Sequence, residues 1–397
     1  MTVNRRYLGL MFLTLPACAP DQVQTEGRVH EMAAEVQATI EQHVGLPFKS
    51  PPQIAVRNRD QIRAYLDAKI ETDLPPAELE RLSAVYRLFG LIPDTLDMKK
   101  LLSELYFEQV MGYYDPDSSM LFLPADLDPV VLRFTLSHEL VHALQDQYMP
   151  VTPLLASERG NDRRIAAQAM LEGQATIVAM LDMLPDYGVE MLDEVWSQVR
   201  VQIHDQQDQM PVLATAPMVI REGLIFPYLS GADFVRWFVS QYPDTVPYGP
   251  RLPESTEQIL HPDRYRIGDA PTDLVFVDSI DAFHQDGFGE FEIGIMLTEL
   301  TGSETTGRLG AMGWDGDRYA VLEADGDYGV VWWSVWDTER AAERFVGILT
   351  REWPQRIRPG WRYAVERIAV GDQPGVLFMY GPSGWDEWDG PPQVIAR

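Results

Sequence analysis

The chain has 397 residues, 46% of them hydrophobic and 23% charged, which is the composition of a folded protein with a large core rather than of a disordered chain. Its formal net charge is −28. This acidity argues against nucleic acid as a partner, because binding to the phosphate backbone draws its affinity from clustered Lys and Arg.

The first residues have the pattern of a bacterial export signal. Arg5 and Arg6 precede an apolar run over residues 7–15, which is too short to span a bilayer as a mature helix. The run ends in Leu-Pro-Ala-Cys, and Cys18 is the only cysteine of the chain. Because this ending resembles a lipobox, we expect residues 1–17 to be a lipoprotein signal peptide. A lipid on Cys18 would then hold the exported protein to the membrane of the cell envelope, the outer membrane in a Gram-negative cell. An ordinary cleaved signal with an incidental cysteine is the alternative.

Hydrophobic periodicity and helix-breaking residues predict mainly helices in the first two thirds of the chain. Helices are predicted over residues 21–45, 59–71, 76–90, 97–107, 129–148, 162–184, 188–208 and 229–241, with a strand over 53–57. A β-hairpin is predicted within residues 108–124, because two aromatic and apolar runs flank the turn-forming segment Asp-Pro-Asp-Ser. Pro51 and Pro52 separate an N-terminal helix and linker, residues 18–52, from this helical region.

The last third of the chain has a different pattern. Predicted helices over residues 289–300 and 338–352 alternate with predicted strands over 317–323, 328–336, 361–370 and 375–380. We therefore predict an α+β fold, with a mainly helical domain over residues 53–286 and a small α+β domain over 287–397. The hairpin precedes the helix of residues 129–148.

That helix carries a metal-binding pattern. His138-Glu139-Leu140-Val141-His142 matches the motif HExxH. One helical turn separates the two histidines, so both imidazoles leave the same face and can share one metal, with Glu139 beside them to take a proton from a metal-bound water. The alternative is that both histidines are ordinary polar residues on a half-buried helix.

A catalytic zinc needs a third protein ligand, and the next long helix offers one. This helix is apolar nearly all round, yet Gln168, Glu172 and Thr176 form a polar stripe along it. A carboxylate on a buried helix must be paired or bound to metal. Glu172 is therefore the candidate third ligand. An ion pair of Glu172 with Arg163 or Arg221, a protonated Glu172, or an Asp or His elsewhere as the ligand are the alternatives.

Several segments together resemble a known family. HExxH followed by a Glu on a second helix resembles the gluzincin metallopeptidases, and HELVHALQDQY looks like the active helix of the thermolysin-type members. The segments GYYDPDSSMLFLP, HELVHALQDQ, LEGQAT, FPYLSGADFV and STEQILHP, in this order, resemble a largely uncharacterised bacterial group of exported gluzincin-like proteins over about residues 105–265. The resemblance implies a zincin-like core and a peptide or protein substrate. It also implies a Zn²⁺ ion bound by His138, His142 and Glu172, with Glu139 as general base.

Further site residues follow from the same resemblance. Asp146, one turn beyond the second histidine, is a candidate for orienting an imidazole. Gluzincins place a Tyr or His that donates to the oxyanion after the third ligand. Here His261 is the first candidate and Tyr228 the second, unless His261 only caps a helix and Tyr228 only packs in the core. The strand over residues 120–123 resembles the edge strand that pairs with an extended substrate. Gln174 stands where the group usually has an acidic residue.

Two classes of function fit these patterns. The first is an active, lipid-anchored zinc endopeptidase. The second is a zinc-binding or degenerate gluzincin that acts as an envelope assembly or chaperone-like lipoprotein. The intact Glu139 favours the enzyme, because a binding protein needs no base beside its metal.

Overall fold

A computed structural model describes residues 26–397 except 187, 189–191, 208 and 325. The predicted signal peptide, residues 1–17, and the lipidation site Cys18 lie outside the described residues. None of the described helices is both long enough and apolar enough to cross a membrane.

The fold is α+β, as predicted, with helices predominating before residue 274 and a larger sheet after it. Up to residue 241 the elements are α1 (Glu26–Val44), β1 (Gln53–Arg57), α2 (Arg59–Asp73), α3 (Pro76–Leu88), α4 (Met98–Gln109), β2 (Tyr113–Asp115), β3 (Met120–Pro124), α5 (Pro129–Tyr148), α6 (Val151–Leu154), α7 (Asn161–Met183), α8 (Leu192–Gln207), α9 (Pro211–Thr215) and α10 (Met218–Gln241). They continue with α11 (Thr256–Leu260), α12 (Pro262–Ile267), β4 (Leu274–Phe276), β5 (His284–Asp286), α13 (Gly289–Thr301), α14 (Glu304–Ala311), β6 (Trp314–Ala324), β7 (Asp327–Trp336), α15 (Glu339–Glu352), β8 (Trp361–Val370), β9 (Gln373–Pro382) and β10 (Val394–Ala396).

Most predicted helices are confirmed with ends shifted by a few residues. The helix α5 begins as predicted, with the Asp128 side chain accepting a hydrogen bond from the Val130 N–H and Pro129 in the first turn. The helix α10 begins at Met218 rather than at residue 229, because Pro227 lies inside the helix instead of ahead of it. A proline inside a helix removes one backbone hydrogen bond. The sequence patterns did not predict the short elements α6, α9, α11, α12, α14, β4, β5 and β10.

The predicted hairpin is confirmed and belongs to a three-stranded sheet. The strand β2 pairs antiparallel with β3, and β1 pairs parallel with the other side of β3. The order β1-β3-β2 makes β3 the central strand, so the prediction of an edge strand over residues 120–123 is wrong. The outer strand next to α5 is therefore β2. The other side of β3 pairs with β1, which comes from a distant part of the chain.

The helices α7 and α10 approach each other unusually closely at two glycines. A Cβ atom added to Gly173 would lie 2.1 Å from the carbonyl carbon of Gly231. One added to Gly231 would lie 1.9 Å from the carbonyl oxygen of Ala169. Only glycine leaves room for this contact. The contact holds the middle of α10 against the helix that carries Glu172.

The C-terminal sheet has the antiparallel order β5-β6-β7-β9-β8. Its first strand ends at Asp286, so the sheet starts a few residues before the predicted domain boundary at 287. Phe89, which follows α3, packs edge-on against Phe288 and Trp332 at centroid distances of 4.7 and 5.4 Å. One buried apolar cluster therefore runs from the N-terminal helices into the C-terminal region.

Candidate metal centre

The helix α5 presents the motif residues to the protein interior. His138 and Glu139 are fully buried and His142 is 1% exposed. Glu172, in the middle of α7, is also fully buried. The two helices pack side by side, so the one-turn spacing on α5 and the carboxylate on α7 meet at one place.

Three ligand atoms converge there. The Oε2 atom of Glu172 lies 3.0 Å from Nε2 of His138 and 3.4 Å from Nε2 of His142, and the two Nε2 atoms are 3.1 Å apart. Bonds of 2.0–2.1 Å in tetrahedral geometry separate the ligand atoms of a zinc ion by about 3.3 Å. The measured separations bracket this value. Among the described residues, this is the group of three that can hold a metal ion.

The two imidazoles favour the ionised form of Glu172. Burial by itself raises the pKa of the Glu172 carboxyl, but the two imidazoles outweigh burial and lower it to about 2. Glu172 is therefore an anion between two imidazoles. The alternative ion pairs are not formed, because Arg163 binds Asp273 at 2.8 Å and Arg221 binds Glu222 at 3.2 Å.

A chain of buried polar side chains fixes His142. Nδ1 of His142 lies 2.8 Å from Oε1 of Gln145, and the Nε2 amide of Gln145 donates to the Leu171 carbonyl and to Oε1 of Gln174. The Tyr248 hydroxyl donates to the same Gln174 oxygen at 2.5 Å. Because the Gln145 amide nitrogen is already a donor, its oxygen must accept from Nδ1–H of His142. Nε2 of a neutral His142 then keeps its lone pair for a metal.

The prediction that Asp146 orients an imidazole is wrong. Its carboxylate accepts hydrogen bonds from the Tyr114 hydroxyl at 3.0 Å and from the Val151 N–H at 2.9 Å. Asp146 lies four residues beyond His142 and faces β2 instead. Gln145, three residues beyond His142, faces α7 and orients the imidazole of His142.

Glu139 lies against the hairpin. Its Oε2 atom accepts a hydrogen bond of 2.8 Å from the Tyr114 N–H on β2, and its Oε1 atom has no hydrogen-bond partner among the described residues. Burial raises the pKa of Glu139 to about 8, a shift that His142 opposes and Glu172 increases. The hairpin therefore orients the carboxylate and leaves one oxygen available.

The two candidate oxyanion donors lie in different places. The Tyr228 ring stacks on the imidazole of His138 with centroids 5.9 Å apart, and the residue is 4% exposed. His261 ends α11 and precedes α12, and its Nε2 atom lies 2.8 Å from Glu290 on α13. His261 therefore contacts α13 and Tyr228 contacts a candidate ligand, and the choice of donor between them stays a prediction.

Sequence patterns gave no role to Gln145 or Tyr248, and they marked Gln174 only as a departure from the family pattern. The two glutamines carried a usable signal, because both occur in the two motif helices at positions that these helices bury. Tyr248 carried none, since it lies in an irregular segment 74 positions from Gln174 in the chain.

Comparison with known proteins gives one partial match. Residues 278–366 match the family model of a domain of unknown function, DUF8575. This segment covers most of the C-terminal sheet and its helices, and it does not include α5 or α7. No curated protein and no solved structure matches the chain.

Proposed function

We propose that this protein is a zinc-dependent peptidase with a zincin-like core. The proposal rests chiefly on one observation: Nε2 of His138, Nε2 of His142 and Oε2 of Glu172 converge at tetrahedral spacing, with the Glu139 carboxylate on the adjacent residue. Three protein ligands leave a fourth position for water, which is the pattern of catalytic zinc sites. The sheet edge β2, lying beside α5, supports the zincin-like core.

The residues then have distinct roles. A zinc ion held by the three ligands would supply Lewis acidity and lower the pKa of a coordinated water. Glu139 would take the proton of that water at its available oxygen, Oε1, while the Tyr114 N–H holds Oε2. Tyr228 would donate its hydroxyl to the oxyanion that develops on the scissile carbonyl.

A groove of about 760 Å³ supports a peptide as substrate. It lies between α5, at Ala143, Asp146 and Gln147, the hairpin, at Tyr114 and Met120, and residues 50–54 at the start of β1, and it is not lined by the three candidate ligands. The strand β2 is an outer strand of its sheet, and main-chain hydrogen bonding to an outer strand is a common way to bind an extended peptide. Tyr114 joins the two features, since it lines the groove and its N–H holds the general base.

One observation favours the non-catalytic alternative. The three candidate ligands are at most 1% exposed, whereas water and substrate must reach a catalytic zinc. A zinc-binding envelope assembly or chaperone-like protein would keep this closed state, whereas a peptidase must open it for its substrate. A peptidase needs the Glu139 carboxylate as a general base, whereas a zinc-binding protein does not.

A digestion experiment separates them. Wild-type protein, incubated with a peptide library, is expected to cleave peptides, and a zinc chelator is expected to stop the cleavage. Glu139→Gln should keep the zinc and lose turnover by several orders of magnitude, because the amide cannot accept the proton. Glu304→Gln is the matched control, since Glu304 is exposed and pairs only with a surface arginine, Arg308. Cleavage by Glu139→Gln at the wild-type rate would contradict the mechanism, and a zinc-loaded wild type without cleavage would support the alternative.

We also propose that the protein is exported and anchored through a lipid on Cys18. Residues 1–17 would be removed as the signal peptide, leaving Cys18 as the acylated first residue. Cys18→Ser should move the protein from the membrane fraction to the soluble envelope fraction. Unchanged partition into the membrane fraction would refute the lipid anchor.

A further inference from the structure

A second pocket lies where α3 meets the segment after α15. It has a volume of about 340 Å³. Its lining includes three arginines, Arg87, Arg356 and Arg358, and one carboxylate, Asp94. In a chain whose formal net charge is −28, a pocket with more cations than anions is unexpected.

The arginines of this pocket are mostly not neutralised by carboxylates. Arg356 donates to the backbone carbonyls of Gly90 and Glu299, at 2.8 and 2.7 Å, and Arg87 donates to a third backbone carbonyl. Arg358 binds Asp94 at 3.0 Å, but the Asp94 side chain is 72% exposed and therefore screened by solvent. Burial lowers the pKa of Arg356, and the Glu299 carboxylate only partly offsets this effect. The pocket therefore holds positive charge without an equal countercharge.

Two of the side chains that line the pocket also carry buried donors without acceptors. Nε1 of Trp353 and Nε of Arg87 are buried and have no hydrogen-bond partner among the described residues. Trp353 itself is only 1% exposed. A buried donor without an acceptor is destabilising, so such groups in a folded protein call for an explanation. Both atoms are inaccessible in this structure, so a ligand would be held by the arginine charges rather than by these donors.

The remaining walls are apolar and limit the ligand to a small molecule. Ile92, Pro93 and the ring of Tyr380 line the pocket, and its volume lies at the lower end of the range for small-molecule sites. Guanidinium groups pair well with phosphate oxygens, and three arginines beside one carboxylate give the lining a net positive charge that matches a dianion. We propose that this pocket binds a phosphate-type dianion, either free or carried on a small organic group. This proposal does not depend on the zinc site.

Calorimetric titration of the full-length protein tests the proposal. The probes are inorganic phosphate and glycerol 3-phosphate, in a buffer free of phosphate and at constant ionic strength, with acetate and glycerol as controls. At least one of the two phosphate probes is expected to bind. The probe with the lower Kd shows whether the free ion or the ester is the preferred form. Raising the salt from about 50 to about 200 mM should weaken binding, because the contacts are between charges.

Two variants make the result specific to the pocket. Arg358→Gln and Arg87→Gln should each weaken phosphate binding about tenfold or more, through loss of a charge-assisted hydrogen bond. Arg351→Gln removes the same charge from an arginine whose side chain is 62% exposed and paired with Glu352, so its binding should match wild type. Thermal unfolding of each variant checks that it is folded. Absence of phosphate binding, binding equal to that of acetate, or unchanged binding in both pocket variants would overturn the proposal.

Discussion

The close contact between α7 and α10 gives a sharp test of how the fold positions the site. In Gly173→Ala, the new methyl group would lie 2.1 Å from a backbone carbon of Gly231, whereas carbon atoms in contact prefer about 3.5–4.0 Å. The helices must therefore separate by more than about 1 Å, because backbone atoms cannot rotate away. Overpacking of this kind costs about 1–3 kcal/mol of unfolding free energy.

The displacement of α10 should also lower the rate of peptide cleavage. Tyr228 lies one turn before Gly231 on α10 and stacks on His138, so it moves with the helix. A misplacement of about 1 Å can lower turnover by about a hundredfold. Urea unfolding measures the loss of stability, and peptidase assays measure the loss of turnover. The matched control is Gly223→Ala on the same helix, where the methyl group meets nothing within 4 Å, so stability should be unchanged or rise by about 0.5–1 kcal/mol. Equal unfolding free energies and equal turnover in the two variants would refute the packing argument.

Three further outcomes are expected. Gln145→Leu removes the acceptor of His142 Nδ1–H and should weaken zinc binding about 10- to 100-fold in chelator competition. Tyr228→Phe should lower kcat about a hundredfold with zinc content unchanged, and His261→Ala should leave kcat near wild type; the reverse result would restore His261 as the donor. Burial raises the pKa of Asp162 to about 7, so the folded state keeps a proton that the unfolded state releases above about 4. The contribution of Asp162 to the unfolding free energy should therefore fall as the pH rises from about 4 to 7, and Asp162→Asn, compared by urea unfolding at pH 5 and pH 8, should show a smaller fall than wild type.

The sequence predicted what depends on local spacing. The bounds of α5, with Asp128 and Pro129 at its start, follow from capping chemistry. The meeting of His138 and His142 follows from the helical period. Glu172 could be singled out because a carboxylate on an otherwise apolar helix needs a partner.

The sequence could not predict what depends on packing between distant segments. The parallel pairing of β1 with β3 determines which strand is the edge, and no local pattern encodes it. The choice between Gln145 and Asp146 depends on which side of α5 faces α7, and adjacent residues on a buried helix differ little in pattern. The place of Tyr228 depends on the glycine contact between α7 and α10, which links residues far apart in the chain.

Metal analysis of the purified protein tests the central claim most directly. Wild-type protein should hold about one zinc ion per chain, and Glu172→Ala should lose most of it, because two imidazoles remain without their carboxylate. Asp146→Asn is the control and should keep its zinc, since Asp146 contacts Tyr114 and the Val151 N–H rather than the ligands. Full zinc in Glu172→Ala, or a different metal at full occupancy in the wild type, would contradict the proposed centre.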